Sequence, residues 1–207
     1  MQHSFFDERP QYYTSLDDLL AKMMQMDDDL LANAGTNVVI CRGNPEAKIM
    51  IVGEAPGPQE NIQGKPFVGR AGKLLDQILQ AVDFDPNEDV FITNSVFRMP
   101  PGEGGKNFRK PTNEEIEHYK PYLLEIVRLA DPPIMLLTGN VATQSLLGQT
   151  GITKLRGQWL DWHGRHIMPI FHPSYLLRNP SHNPGSPKAN TWQDIREVRR
   201  KYDELVK

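Results

Sequence analysis

Lys48-Ile-Met-Ile-Val-Gly53 holds four apolar residues in a row and stops on a glycine. A run that short and that continuously apolar is the pattern of a parallel strand covered on both faces. Three further segments repeat it: Val90-Phe-Ile-Thr-Asn-Ser-Val96, Ile134-Met-Leu-Leu-Thr-Gly139 and His166-Ile-Met-Pro-Ile-Phe171. Pro169 has no N–H for a ladder and points to a sheet edge. Helical patterns fill the intervals at 69–82, 113–129 and 141–147. Alternating strand and helix predicts an α/β protein, a three-layer α/β/α sandwich on a central, mostly parallel four-stranded sheet with right-handed crossovers.

Outward from this unit, residues 15–34 read as one amphipathic helix, with Ser15 as N-cap and Asp17 and Asp18 in its first turn. Residues 191–206 read as a helix rich in Arg and Lys. The segment from Trp159 to His166 reads as a hairpin turning at His163-Gly164. The 207 residues are expected to form a single domain, 1–207, with 1–36 as a helical extension packed on it, and to act as a monomer. Hydrophobic residues at 39% and charged residues at 24% are those of an ordinary globular protein. No apolar run approaches ~20 residues, so no membrane span is expected. The start, Met1 to Arg9, lacks a basic stretch followed by an apolar one, so no signal peptide is expected and the cytoplasm is the default compartment. Cys41 is the one cysteine, which excludes an intrachain disulfide and any cysteine-rich metal site. A net charge of −3 does not announce a nucleic-acid binder. Acid is concentrated before residue 30 (Asp17, Asp18, Asp27, Asp28, Asp29) and base in the last third (Arg156, Arg178, Arg196, Arg199, Arg200), and local fields steer ligands more than the sum does.

The segments after the strands carry the chemistry. Gly53-Glu-Ala-Pro-Gly57 can turn sharply and leave Glu54 at the mouth of the sheet; the plain alternative is a solvated glutamate. In Gly64-Lys-Pro-Phe-Val-Gly-Arg-Ala-Gly-Lys-Leu-Leu75, glycines open a helix whose free N–H groups suit a phosphate, although the P-loop order is missing. Phe67, ahead of that helix, can stack on a base or plug the core. Asn94 offers one acceptor and two donors, enough to read the edge of a pyrimidine, or else caps its strand. In His172-Pro-Ser-Tyr-Leu-Leu-Arg178, a histidine at a strand end can donate to a carbonyl oxygen that gains charge. Ser174 and Arg178 suit phosphates, and Leu176 or Leu177 suits a wedge in a base stack; the alternative is a His-Pro turn and a short core helix.

Taken together and in this order, from about residue 37 to about residue 200, these loops resemble the uracil-DNA glycosylase superfamily. The likeness is greatest to its bacterial and archaeal, family 4-like branch, which usually carries a four-cysteine iron–sulfur cluster. The resemblance implies a DNA glycosylase that flips uracil or another deaminated base out of single- or double-stranded DNA and hydrolyses its N-glycosidic bond, initiating base excision repair. It implies that Glu54, with Ala55, positions water, that Glu60 lines the same pocket, that Phe67 stacks on the flipped base and that Asn94 reads its Watson–Crick edge. His172 would face the uracil O2, Leu176 would be the wedge, and Ser174 and Arg178 would contact phosphates. Two other classes stay open: an inert nucleic-acid-binding member of the same fold, and a nucleotide- or phosphate-binding α/β protein using the glycines at 69 and 72.

The chain departs from that branch where the cluster would be. Arg98 stands in the place of the third cysteine, Tyr119 in that of the fourth, and the earlier pair falls near Met26 and Asp29. Without thiolates no cluster and no other cofactor or metal is expected, and the region is expected to be held by packing around the first helix and Tyr119. A related branch traps DNA through a histidine in a basic insert after the second strand. The matching stretch here, from Gly104 to Pro111, has no histidine, so a loop contacting the DNA backbone through Lys106 and Arg109 is expected instead of covalent trapping.

Overall fold

The computed structural model of the protein describes residues 13–103 and 107–206. Its strands are β1 (Cys41–Gly43), β2 (Ile49–Gly53), β3 (Val90–Asn94), β4 (Ile134–Thr138), β5 (Leu160–Trp162) and β6 (Arg165–Ile170). They form one sheet in the order β1-β3-β2-β4-β6-β5. The inner four are the expected parallel strands. The sheet nevertheless has six strands, not four, because β1 and β5 add antiparallel edges. β5 is the first arm of the expected hairpin; His163 and Gly164 carry φ of 52° and 78°, as a two-residue turn with left-handed central residues requires. β1 lies at the end of a short apolar run, 38–41, that alternation alone does not distinguish from a loop. Pro169 sits beyond the reach of β5, whose pairing stops at Leu160↔Ile167, so the missing N–H faces no ladder on that side.

The helices are α1 (Leu16–Met24), α2 (Pro58–Gln63), α3 (Arg70–Gln80), α4 (Asn113–Ala130), α5 (Gly139–Leu147), α6 (Ile152–Leu155), α7 (Pro173–Arg178) and α8 (Pro187–Val206). Successive strand residues point to opposite faces. Met50 and Val52 therefore join a core with Leu19 and Met23 of α1, Ile116 and Leu123 of α4, and Ala142 of α5. Ile49 and Ile51 join the opposite core with Leu75 and Leu79 of α3 and with Ile195 and Val198 of α8. All four of these β2 residues are fully buried, a contribution of roughly 1.5–3 kcal/mol each. The result is the three-layer α/β/α sandwich.

The first helix is shorter than expected. It ends at Met24, and the chain then turns into a 3-10 segment, Ala32–Ala34, followed by Gly35 at φ 66°. Three aspartates, 27–29, would load negative charge on the carboxyl end of a continued helix. Asp29 instead turns inward, with its side chain fully buried against Arg98.

From β2 the chain crosses to β3 on one side and then to β4 on the other, so the sheet order reverses between β2 and β4. Open α/β sheets bind ligands outside the carboxyl ends of strands at such a point. Gly53, Asn94, Thr138 and Ile170 end the four parallel strands there.

Candidate active site

Gly53 is the centre of the site. A Cβ at this position would stand 2.2 Å from Oδ1 of Asn94 and 2.5 Å from Cε2 of Phe67. The aromatic ring and the amide thus close on the end of β2 from two sides, and only a glycine leaves them room. Asn94 is buried, with 2% exposed, and no described residue hydrogen-bonds its side chain. The loops after β2 and β3 are tied together below it. The Gly53 carbonyl accepts from the N–H and the Oγ of Ser95, each at 2.9 Å, and the Glu54 carbonyl accepts from the Val96 N–H at 3.1 Å. Ala55, half-buried, packs against the core that holds Met50 and Val52.

Phe67 reaches the site in an unfavourable backbone conformation, φ 53°, which costs a bulky residue of order 1–3 kcal/mol. The surrounding loop compensates. Glu60 of α2 accepts the N–H groups of Val68 (2.9 Å) and Gly69 (2.7 Å), and of Gly57 at its own N-cap (3.2 Å). Glu60 therefore holds the loop from within; its carboxylate faces backbone, not the open pocket. The same contacts bear on the phosphate-binding reading of the glycines at 69 and 72. The N–H groups of Val68 and Gly69, just ahead of α3, already face a carboxylate, and a Cβ on Gly72 would lie 1.8 Å from the Phe67 carbonyl oxygen. Gly72 is a seat for Phe67.

His172 enters from the end of β6, packed on Gly139, whose missing Cβ would stand 3.1 Å from the histidine Cβ. Its ring centroid is 5.7 Å from that of Phe67, with the planes 31° apart. Nδ1 accepts the Ser174 N–H at 3.1 Å and lies 2.8 Å from Ser174 Oγ. Burial, then the charges of Arg178 and Lys110, push the imidazole down to about 4. At neutral pH it is uncharged, with its proton on Nε2. Burial also raises the Glu54 carboxyl, against the opposing pull of Lys110 and Arg178. The same two cations bear on both groups, which follow the carboxyl ends of β2 and β6 at the mouth of the sheet.

The remaining expected contacts divide. Arg178 is exposed beside that mouth. Ser174 directs both its N–H and its Oγ at His172, so its geometry is that of a histidine orienter. Leu176 is not available as a wedge: it is 1% exposed, on the inner face of α7, whereas Leu177 is 37% exposed. Period 3.6 turns neighbouring leucines to different faces, and the sequence alone does not say which is buried. Arg109 is occupied by a bidentate pair with Glu115 at 2.8 and 2.6 Å, which ties the 100–111 loop to the capping box of α4. Lys106 lies outside the described residues. Lys110, which sequence reasoning passed over, is a cation of this loop whose charge bears on both Glu54 and His172. Alternation along an extended segment would have set it opposite Arg109.

The positions matching the cluster cysteines do come together, but with different chemistry. Arg98 Nε donates to Asp29 Oδ2 at 2.7 Å, its Nη groups donate to the carbonyls of Thr36 and Met26, and Tyr119 Oη donates to Asp29 Oδ1. Burial would raise the Asp29 carboxyl, but the hydrogen bonds from Tyr119, Arg98 and the Leu31 N–H hold it below its usual value. A cation, a phenol and a paired carboxylate do not fit an iron–sulfur cluster, which takes thiolates. The expected packing around the first helix and Tyr119 is present, with Leu19, Met23, Phe97 and Tyr119 in one core, and a buried polar network is added to it. Among the described residues no group of three or more His, Cys, Asp or Glu side chains could hold a metal ion.

Residues 40–196 match the family model described as the Uracil DNA glycosylase superfamily. A Type-4 uracil-DNA glycosylase of Thermotoga maritima is 42% identical over 70% of this chain and 74% of its own length. That of Archaeoglobus fulgidus is 35% identical over 80% of this chain and 85% of its own. A Type-5 uracil-DNA glycosylase of Thermus thermophilus is 30% identical over 64% and 67%. With the strand-end loops assembled as described, the chain belongs to the uracil-DNA glycosylase superfamily.

Proposed function

We propose that this protein extrudes uracil from DNA and hydrolyses its N-glycosidic bond, acting as a monomeric single domain in the cytoplasm, without a cluster or other cofactor. The observation that carries the reading is the closure of Phe67 and Asn94 over Gly53, with His172 against the Phe67 ring. A flat base entering there has a ring to stack on and an amide offering donor and acceptor together, which suits uracil O4 and N3–H.

The step breaks the bond between uracil N1 and the sugar C1′, and the electron pair leaves with the base. The Nε2–H of neutral His172 donates to O2, where negative charge develops, and needs no rearrangement to do so because Nδ1 is already bonded. Glu54, ionised, orients a water toward C1′ and takes its proton as the new C–O bond forms. Lys110 and Arg178 attract the phosphates on either side. Glu60 and Ser174 act through the loop and the imidazole that they hold.

The test is an excision panel with uracil, hypoxanthine, xanthine and mismatched thymine in single- and double-stranded oligonucleotides, read as alkali-labile abasic sites. Uracil is expected to be cut first. Cleavage of another base with none at uracil would overturn the substrate. DNA binding with no abasic product would favour the inert-binder reading.

A further inference from the structure

Phe67 can serve as a stacking platform only if its ring stays where the site needs it, and its own backbone preference works against that. Glu60 holds the amide side of the loop. The carbonyl side is held by a residue from a distant part of the chain. Arg42, on edge strand β1, donates from Nε to the Pro66 carbonyl at 3.0 Å and from Nη2 to the Phe67 carbonyl at 3.4 Å. Nη2 also pairs with Asp76 Oδ1 of α3 at 2.5 Å, and Nη1 reaches the Pro86 carbonyl at 3.5 Å. The guanidinium is nearly enclosed, with the side chain 10% exposed. On its other side the Phe67 carbonyl rests on Gly72, where even a Cβ would collide. The peptide that sets the direction of the Phe67 ring is therefore clamped between a planar fork and a bare helix backbone.

We propose that Arg42 is a positioning residue for base stacking: it holds Phe67 in its left-handed conformation, facing His172, before any DNA arrives. This rests on the glycosylase reading for its consequence, though not for its geometry. A fork is needed for the task. Lysine could keep the charge pair with Asp76, but a single ammonium does not span the Pro66 and Phe67 carbonyls and the carboxylate in one plane.

Arg42→Lys separates the two roles. It is expected to fold with a melting temperature near that of the native protein, to bind uracil-free DNA with unchanged affinity, and to lose single-turnover excision by about 10²-fold, the scale for a reacting group displaced by about 1 Å. A general loss of structure would instead lower binding and excision together. Arg42→Met, where it folds, is expected to lose at least as much. Native single-turnover rates in Arg42→Lys would overturn the proposal. A second readout needs no catalysis: the nuclear Overhauser contact between the Phe67 and His172 rings in the free protein should weaken in Arg42→Lys, and its persistence at native strength would equally overturn the proposal. Failure of the native protein to excise uracil would sink the glycosylase reading, and the ring contact would still decide the role of Arg42.

Discussion

Nδ1 of His172 accepts the backbone N–H of Ser174 at 3.1 Å. That bond fixes the neutral tautomer, and burial with the nearby Arg178 and Lys110 holds the ring neutral down to about pH 4. A lowered histidine value favours the native state above the ordinary histidine value, and this contribution is lost as pH falls toward 4. Imidazole resonances of His172 should therefore report an uncharged Nε2–H ring from pH 8 to pH 5. An imidazolium at pH 7 would contradict the arrangement. His172→Ala removes the donor proposed for O2 of the departing base, and single-turnover excision should fall about 10²–10³-fold, corresponding to ~2.7–4 kcal/mol of barrier.

Gly53→Ala tests the pocket by steric means. The backbone at Gly53 does not require glycine for its dihedrals; the neighbours do, at 2.2 Å from Asn94 and 2.5 Å from Phe67. The added methyl must displace a buried ring or a buried amide. Overpacking of this kind costs about 1–3 kcal/mol, so the variant should still fold in a thermal melt while excision falls about 10²-fold. Native excision would mean that Phe67 and Asn94 do not both contact the base.

The parallel strands were legible because each is buried on both faces and so reads as an unbroken apolar run. The strand-end loops were legible as well, since Gly53, Asn94 and His172 each stand at the end of such a run and Phe67 stands among the glycines that open α3. What escaped were features decided by tertiary pairing. β1 is a strand only because Cys41 pairs with Thr93. Beyond the end of α1, Asp29 turns inward to Arg98, 69 residues away. Arg109 and Lys110 look alike in sequence, and only Glu115 decides which of them is committed to the fold. The burial of Leu176 rather than Leu177 depends on the face that α7 turns to α3 and α8, which six residues of helix do not announce.

That last point is measurable. Leu177 is 37% exposed and Leu176 1%. Leu177→Ala should lower excision from duplex DNA, where a gap must be filled after extrusion, and leave single-stranded substrate within about twofold, because its bases are already unstacked. Leu176→Ala should instead destabilise the fold by about 2–5 kcal/mol and affect both substrates alike. The opposite pattern, measured by parallel excision assays and urea unfolding, would return the wedge to Leu176.

The Asp29–Arg98–Tyr119 network ties the segment after α1 to β3 and α4. Removing one partner of a buried ion pair leaves the other uncompensated, so Arg98→Met should cost about 3–5 kcal/mol in urea unfolding. Tyr119→Phe should cost about 1–3 kcal/mol, the price of one buried hydrogen bond to a charged group. The two should be non-additive, because both act on the same carboxylate. Since the Asp29 carboxyl is held below its usual value, its contribution is present above that value and disappears as pH falls through the lowered one. Stability of the native protein should not respond to chelators; a chelator-induced loss of the fold would require a metal where the arginine sits.

Lys110 is the remaining test, because one substitution moves two groups in one direction. Its charge lowers both the Glu54 carboxyl and the His172 imidazole. In Lys110→Met both should rise. Glu54, already raised by burial, would then need a higher pH to ionise, so the acidic limb of the single-turnover rate should move to higher pH. His172 would become easier to protonate on acidification, which acts on the rate in the same sense, since the imidazolium form is absent from the proposed step. At pH 8, where Glu54 is ionised and His172 neutral in both proteins, the chemical step should differ by less than about threefold. DNA affinity should weaken, with a shallower dependence on salt for the loss of one phosphate contact. A pH–rate profile that does not move, together with an unchanged salt slope, would place Lys110 away from both the chemistry and the DNA.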